Sequence, residues 1–200
     1  LWALEDLDLK HPCLNITWKR DEDPAHLQIK ASPVDMVRDP EVDVRMQLQK
    51  VRWDIEHMKA ARELGVERVI MASSSAVYGE NEITPKTESL AASPTSPYGA
   101  AKLAMEGFGQ AFAASYGLHV TSLRYFNVYG ARQDPSSQYA AVVPRFIDAL
   151  LSGSRPVIYG DGSQTRDFIH VDDVVRANLR AASSPAGAGE VFNIAGGSPH

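Results

Sequence analysis

The run ERVIMA, Glu67 to Ala72, constrains the fold more than any other stretch. Its apolar residues follow a glycine, Gly65, and stop at three serines, which reads as a short buried strand. Upstream, Val51, Ile55, Met58 and Ala61 recur at intervals of three and four, the spacing of one helix face, so about Asp43 to Leu64 is expected to be an amphipathic helix closed by Gly65. Downstream, Pro97 suits a first helical turn. Leu103, Met105, Phe108 and Phe112 carry that helix to about Tyr116, where Gly117 ends it. HVTSLRYF is the next strand, a helix follows Pro144, PVIYG and RDFIH read as short strands, VDDVVRANLRAA as a helix and EVFNIAG as a last strand. The loops fall at Glu82 to Pro97, Gly130 to Gln138 and Ala182 to Glu190. Strands that alternate with helices predict an α/β chain with a mainly parallel sheet.

Two hundred residues, 44% hydrophobic and 22% charged, are enough for one substantial core. The net charge of -5 includes no basic run, so nucleic acid is not an expected partner. The single cysteine, Cys13, has no intrachain partner for a disulfide, and no apolar run is long enough to span a bilayer. A cytoplasmic setting without membrane contact is the expectation. No phosphate loop of the G-x-x-x-x-G-K-[ST] type, no G-x-S-x-G elbow, no H-E-x-x-H and no paired cysteines occur, so no metal site is expected. His170 reads as a packed, hydrogen-bonded histidine, and Asp167, Asp172 and Asp173 as structural.

Three polar segments could carry chemistry. In SPYGAAK, Tyr98 and Lys102 stand four apart and project from one helix face. An ammonium beside a phenol favours the phenolate and makes it a better base. By itself that spacing describes a solvated helix face equally well. SSSAVYG, Ser73 to Gly79, places three hydroxyls where a parallel strand releases its chain, the edge at which open α/β sheets hold ligands; a serine-rich turn capping its own backbone is the other reading. LRYFNVYG, Leu123 to Gly130, ends the following strand in the same manner. The three segments are expected to converge on one edge.

These motifs, followed by VIYGDGSQTRDFIHVDD from Val157 to Asp173, resemble in order and interval the NAD-dependent epimerase/dehydratase family, extended short-chain dehydrogenases acting on nucleotide sugars, with UDP-glucose 4-epimerase-like members nearest in pattern. The likeness runs from about Ala60 to Gly197. It implies a partial Rossmann-like, doubly wound, mainly parallel sheet with part of a small C-terminal substrate-binding subdomain. Residues 1–25 are unplaced, 26–130 correspond to the later portion of the NAD-binding domain, and 131–200 to a partial nucleotide-sugar-binding region with returning sheet elements. The resemblance assigns Ser74 the hydrogen bond to the reacting sugar hydroxyl, Tyr98 the general base, and Lys102 the nicotinamide ribose. It puts Ser73 and Tyr125 along the nicotinamide, Asn127 and Arg166 at the substrate diphosphate, and Val157 and Tyr159 at the base. A guanidinium suits that task because its planar fork grips phosphate oxygens through parallel hydrogen bonds. The cofactor implied is NAD, with NADP open, and the partner a UDP-sugar or other nucleotide sugar; a homodimer through the Tyr98 helix is usual in such proteins.

The mechanism implied is hydride transfer from a sugar carbon while Tyr98 takes the hydroxyl proton. Dehydratase relatives follow the catalytic Ser/Thr with an acidic pair, which elimination needs. Here Ser75 and Ala76 follow Ser74, which moves the expectation to an epimerase or a simple reductase. A dinucleotide site of this kind also needs a glycine-rich turn after its first strand. None of the fourteen glycines supplies one, and the family would place it ahead of His26. Gln28, Ile29, Lys50 and Trp53 stand where the pattern has small residues, an asparagine and a glycine. An epimerase whose first βαβ lies upstream, a sugar-nucleotide binder lacking the cofactor half, and an inert remnant are the three expectations that follow.

Overall fold

A computed structural model describes residues 14–16, 29–31, 40–133, 142–158 and 160–198. The chain divides into two units, 1–39 and 40–200. In the first, β1 (Leu14–Ile16) pairs antiparallel with β2 (Ile29–Ala31), Leu14 opposite Ala31 and Ile16 opposite Ile29.

The second unit starts with α1 (Pro40–Glu63), the helix expected from the three-and-four spacing. Its end is a Schellman closure. Gly65, at φ 67, and Val66 donate their amides to the carbonyls of Arg62 (3.2 Å) and Ala61 (2.8 Å). β3 (Arg68–Ser74) takes up the ERVIMA run from Arg68 and extends it through two serines into a 3-10 turn, Ser75–Tyr78. α2 (Pro97–Tyr116) is capped by Ser96, whose hydroxyl accepts from the Gly99 amide, with Pro97 in the first turn and Gly117 in the left-handed conformation at its end. β4 (His119–Tyr125) and β5 (Asn127–Tyr129) follow, then α3 (Val142–Leu151), β6 (Phe168–His170), α4 (Val171–Ser183) and β7 (Val191–Ile194).

β3, β4 and β7 form a parallel sheet in that order, with Ser73 opposite Arg124, Ser74 opposite Tyr125, and Tyr125 opposite Ile194. β5 and β6 form a second parallel pair. The α/β class with parallel strands is therefore as expected. α1 and α2 cover one face, where Met58, Met71, Met105, Phe112, Leu118 and Val120 make the core and Val51, Ile55 and Ala61 pack against it. Side chains alternate across a strand, so Tyr125, which reaches Asn178 of α4, points away from α2 and puts α4 on the other face. α2 lies close to the sheet at Gly109, where an added Cβ would come within 2.9 Å of Val120 Cγ1.

Two expectations change. α3 begins two residues before Pro144, because a proline is tolerated in a first turn whose amides have no helical acceptor. PVIYG does not form a strand over its described residues 156–158: no strand pairs with it, and Val157 and Ile158 are exposed. Among the described residues no helix is long and apolar enough to cross a membrane, and no group of three or more His, Cys, Asp or Glu side chains is placed to hold a metal.

Candidate active site

The C-terminal ends of β3 and β4 carry two rows of side chains, one toward α2 and one away from it. Ser74 and Tyr125 are register partners and so share the face turned from α2. Ser74, half-buried, caps the 3-10 turn by accepting the Ala76 amide at 3.2 Å. Tyr125 donates its hydroxyl to Asn178 Oδ1 at 2.9 Å, and Asn178 in turn donates to the Val174 carbonyl. Burial raises the Tyr125 pKa, and the bond to Asn178 opposes that shift.

The Tyr98 helix docks on the turn that follows Ser74. At Gly99 an added Cβ would fall 2.6 Å from the Ala76 carbonyl oxygen, so only glycine permits this approach. One turn further on, Lys102 Nζ donates to the Ala72 carbonyl of β3 at 2.6 Å and stands 5.8 Å from the centroid of the Tyr98 ring. That is a cation–π distance, and it joins the expected base to the ammonium expected to favour its phenolate. Burial holds the Lys102 amine below its usual range; Asp54 of α1 opposes this and Lys50 adds to it. Asp54 is in turn raised by its own burial, against the pull of Lys102, His57 and Lys50. The structure thus brings Ser74, Tyr98, Lys102 and Tyr125 to one sheet edge.

Other expected residues lie differently. Ser73 is buried with its hydroxyl donated to Glu106, on the α2 face. Asn127 uses its side-chain amide on the Asp167 carbonyl at 2.9 Å, which ties β5 to the segment before β6. Val157 and Arg166 are exposed, and Arg166 Nη1 donates to the Thr165 carbonyl. Tyr159 lies outside the described residues. Asp167 has the structural role expected of it, its two oxygens accepting the amides of Gly196 (2.6 Å) and Gly197 (3.0 Å). His170 caps α4 through Nδ1, and Asp173 pairs with Arg176.

Sequence reasoning missed a buried network behind this edge. Glu106 accepts two hydrogen bonds from Arg124, Nε at 2.9 Å and Nη2 at 2.7 Å, besides the one from Ser73. Arg124 Nη1 donates to the Tyr78 hydroxyl at 2.8 Å, and that hydroxyl lies 2.8 Å from Asn193 Oδ1. Burial alone would lower the Arg124 pKa; the bonds to Glu106 and Tyr78 outweigh it and leave the guanidinium firmly charged. The signals were present. Glu106 is four residues past Lys102 on a face of buried residues, and Arg124 interrupts an otherwise uncharged strand, so each needed a charged partner.

Residues 43–195 match the model of the NAD dependent epimerase/dehydratase family. The chain belongs to that family. Within this enzyme family, the UDP-glucose 4-epimerase of Mycolicibacterium smegmatis is 40% identical over 173 residues, covering 86% of this chain and 54% of the relative. Among solved structures, the UDP-N-acetylglucosamine 4-epimerase of Methanobrevibacter ruminantium, in complex with UDP-N-acetylmuramic acid, is similar at a TM-score of 0.75 and 42% identity, covering 82% of this chain and 54% of that one. The UDP-glucuronic acid 4-epimerase of Bacillus cereus, in complex with UDP-glucuronic acid and NAD, is similar at 0.68 and 33%, covering 75% and 46%. The chain spans about half the length of the curated relatives it matches.

Proposed function

We propose that the protein is an NAD-dependent nucleotide-sugar epimerase of the UDP-glucose 4-epimerase type. The observation that carries this reading is the Lys102 amine, seated on the Ala72 carbonyl of β3, two residues before Ser74, and facing the Tyr98 ring. The donor set fits the nicotinamide end of a dinucleotide: Lys102 for the ribose hydroxyls, with Tyr98 and Tyr125 beside the ring. The glycine turn that would cradle the pyrophosphate does not occur in these 200 residues. NAD, when bound, supplies the oxidation and later reduction of one sugar carbon.

The chain's own residues do the rest. Ser74 orients the reacting sugar hydroxyl, Tyr98 takes its proton and later returns it, and Lys102 keeps positive charge beside the phenol while that proton is away. Asn127 and Arg166 are the candidates for holding the substrate diphosphate, and Val157 and Tyr159 for contacting the base. Ser75 and Ala76 offer no acid or base for elimination, which favours epimerisation over dehydration, with simple reduction as the variant. That relatives of this chain include structures with UDP-sugars bound supports a UDP-sugar as substrate.

Incubation of the protein with NAD and UDP-glucose or UDP-N-acetylglucosamine, followed by anomeric-proton NMR, is expected to show the 4-epimer accumulating. Lack of interconversion across UDP-hexoses would overturn the assignment.

A further inference from the structure

We propose that Glu106 and Arg124 are positioning residues for the reaction at Ser74, Tyr98 and Lys102, a buried ion pair that clamps together α2, which carries Tyr98 and Lys102, the end of β3, which carries Ser74, and the end of β4, which carries Tyr125. The inference rests on the epimerase reading above. Every segment of the candidate site contributes one member to the network. Ser73, next to Ser74, donates to Glu106. Glu106 continues the stripe of Tyr98 and Lys102 along α2. Arg124, next to Tyr125, grips Glu106 with two nitrogens and Tyr78, the last residue of the turn after Ser74, with a third.

Stability alone does not require these charges. Apolar residues of similar volume in place of a buried ion pair are often neutral or stabilising. What they cannot supply is direction. The bidentate fork fixes the angle as well as the distance between α2 and β4, and the third nitrogen fixes the turn. The bonds from Lys102 to the Ala72 carbonyl and from Ser73 to Glu106 seat successive turns of α2 on consecutive residues of β3. Loosening one frees the other.

The test compares the complete encoded protein with its Glu106→Met/Arg124→Met double variant. Three quantities are read: thermal midpoint, kcat and KM for UDP-sugar interconversion, and the pH midpoint of Lys102 acylation by an amine reagent, followed by mass spectrometry. Lys102 faces Asp54 and Lys50 from α1, the Ala72 carbonyl from β3 and Tyr98 from its own helix. The expected result is a folded variant whose kcat falls by about tenfold or more, with KM changed less than about threefold, the pattern of a lost transition-state interaction. Its Lys102 midpoint moves up toward the ordinary value of about 10.4. A folded double variant with wild-type kcat and an unmoved Lys102 midpoint would overturn the proposal. Where the wild-type protein itself interconverts no sugar, the epimerase reading fails and the Lys102 midpoint alone decides: a rise supports the clamp and no rise refutes it. Where the double variant does not fold, Ser73→Ala, which removes only the hydroxyl held by Glu106, is read by the same midpoint in the same way.

Discussion

Replacing Arg124 by alanine removes one partner of the buried pair and leaves the other in place. Arg124 is 5% exposed and Glu106 3%, so the stranded carboxylate stays largely shielded from bulk water. Three hydrogen bonds from the guanidinium are lost, and the Tyr78 ring loses the cation 4.8 Å above it. Breaking a buried pair in this manner costs about 3–5 kcal/mol, against about 0–1 kcal/mol for an exposed one. At roughly 2–4 °C per kcal/mol for a chain of this size, the thermal midpoint is expected to fall by about 6–20 °C. Urea unfolding followed by circular dichroism gives the same number as a shift in midpoint at constant slope. Glu106→Ala is expected to cost a similar amount, and the double variant much less than the sum, because one interaction is counted in both. A loss below about 1 kcal/mol for Arg124→Ala would refute the reasoning, since it would mean the pair is solvated.

Three further outcomes follow from the same geometry. Because burial depresses the Lys102 pKa, the native chain binds fewer protons than the unfolded one between that lowered value and about 10.4, so stability should climb with pH through this window. Lys102→Met is expected to flatten the climb in denaturant midpoints taken at pH 7 and pH 10, and equal slopes in both proteins would contradict the burial. Gly99→Ala forces a Cβ toward a backbone oxygen that cannot move aside, so it should destabilise by about 1–3 kcal/mol despite alanine's better helix propensity, as thermal melts would report. Ser96→Ala removes the cap of α2 and should cost about 1 kcal/mol, recovered in Ser96→Asp.

How much of this was legible before the structure depended on the length over which a signal repeats. α1 and α2 announced themselves through several turns of apolar spacing and glycine ends, and β3 through a bounded apolar run; each formed where expected. PVIYG carried the same composition over five residues and formed no strand over 156–158, since a strand exists only when a neighbour pairs with it, and that is not local information. At the site, Tyr98 and Lys102 were readable because four-residue spacing fixes a shared helix face. Ser73 was less so. Sequence places it beside Ser74, whereas strand alternation turns the two hydroxyls to opposite faces, one to Glu106 and one toward the sheet edge. Glu106 and Arg124 were visible as charges in apolar surroundings, yet their pairing joins residues of different elements and needed the sheet register to be seen.

The central claim is that Tyr98 exchanges the proton of a nucleotide-sugar hydroxyl with Lys102 beside it. Single-turnover epimerisation of a UDP-hexose by the wild-type protein and by Tyr98→Phe, with NAD present at saturation, tests it most directly. The account predicts a loss of about 10²–10⁴-fold in the Phe variant, the contribution of a positioned acid–base group. Undiminished turnover in Tyr98→Phe would contradict it.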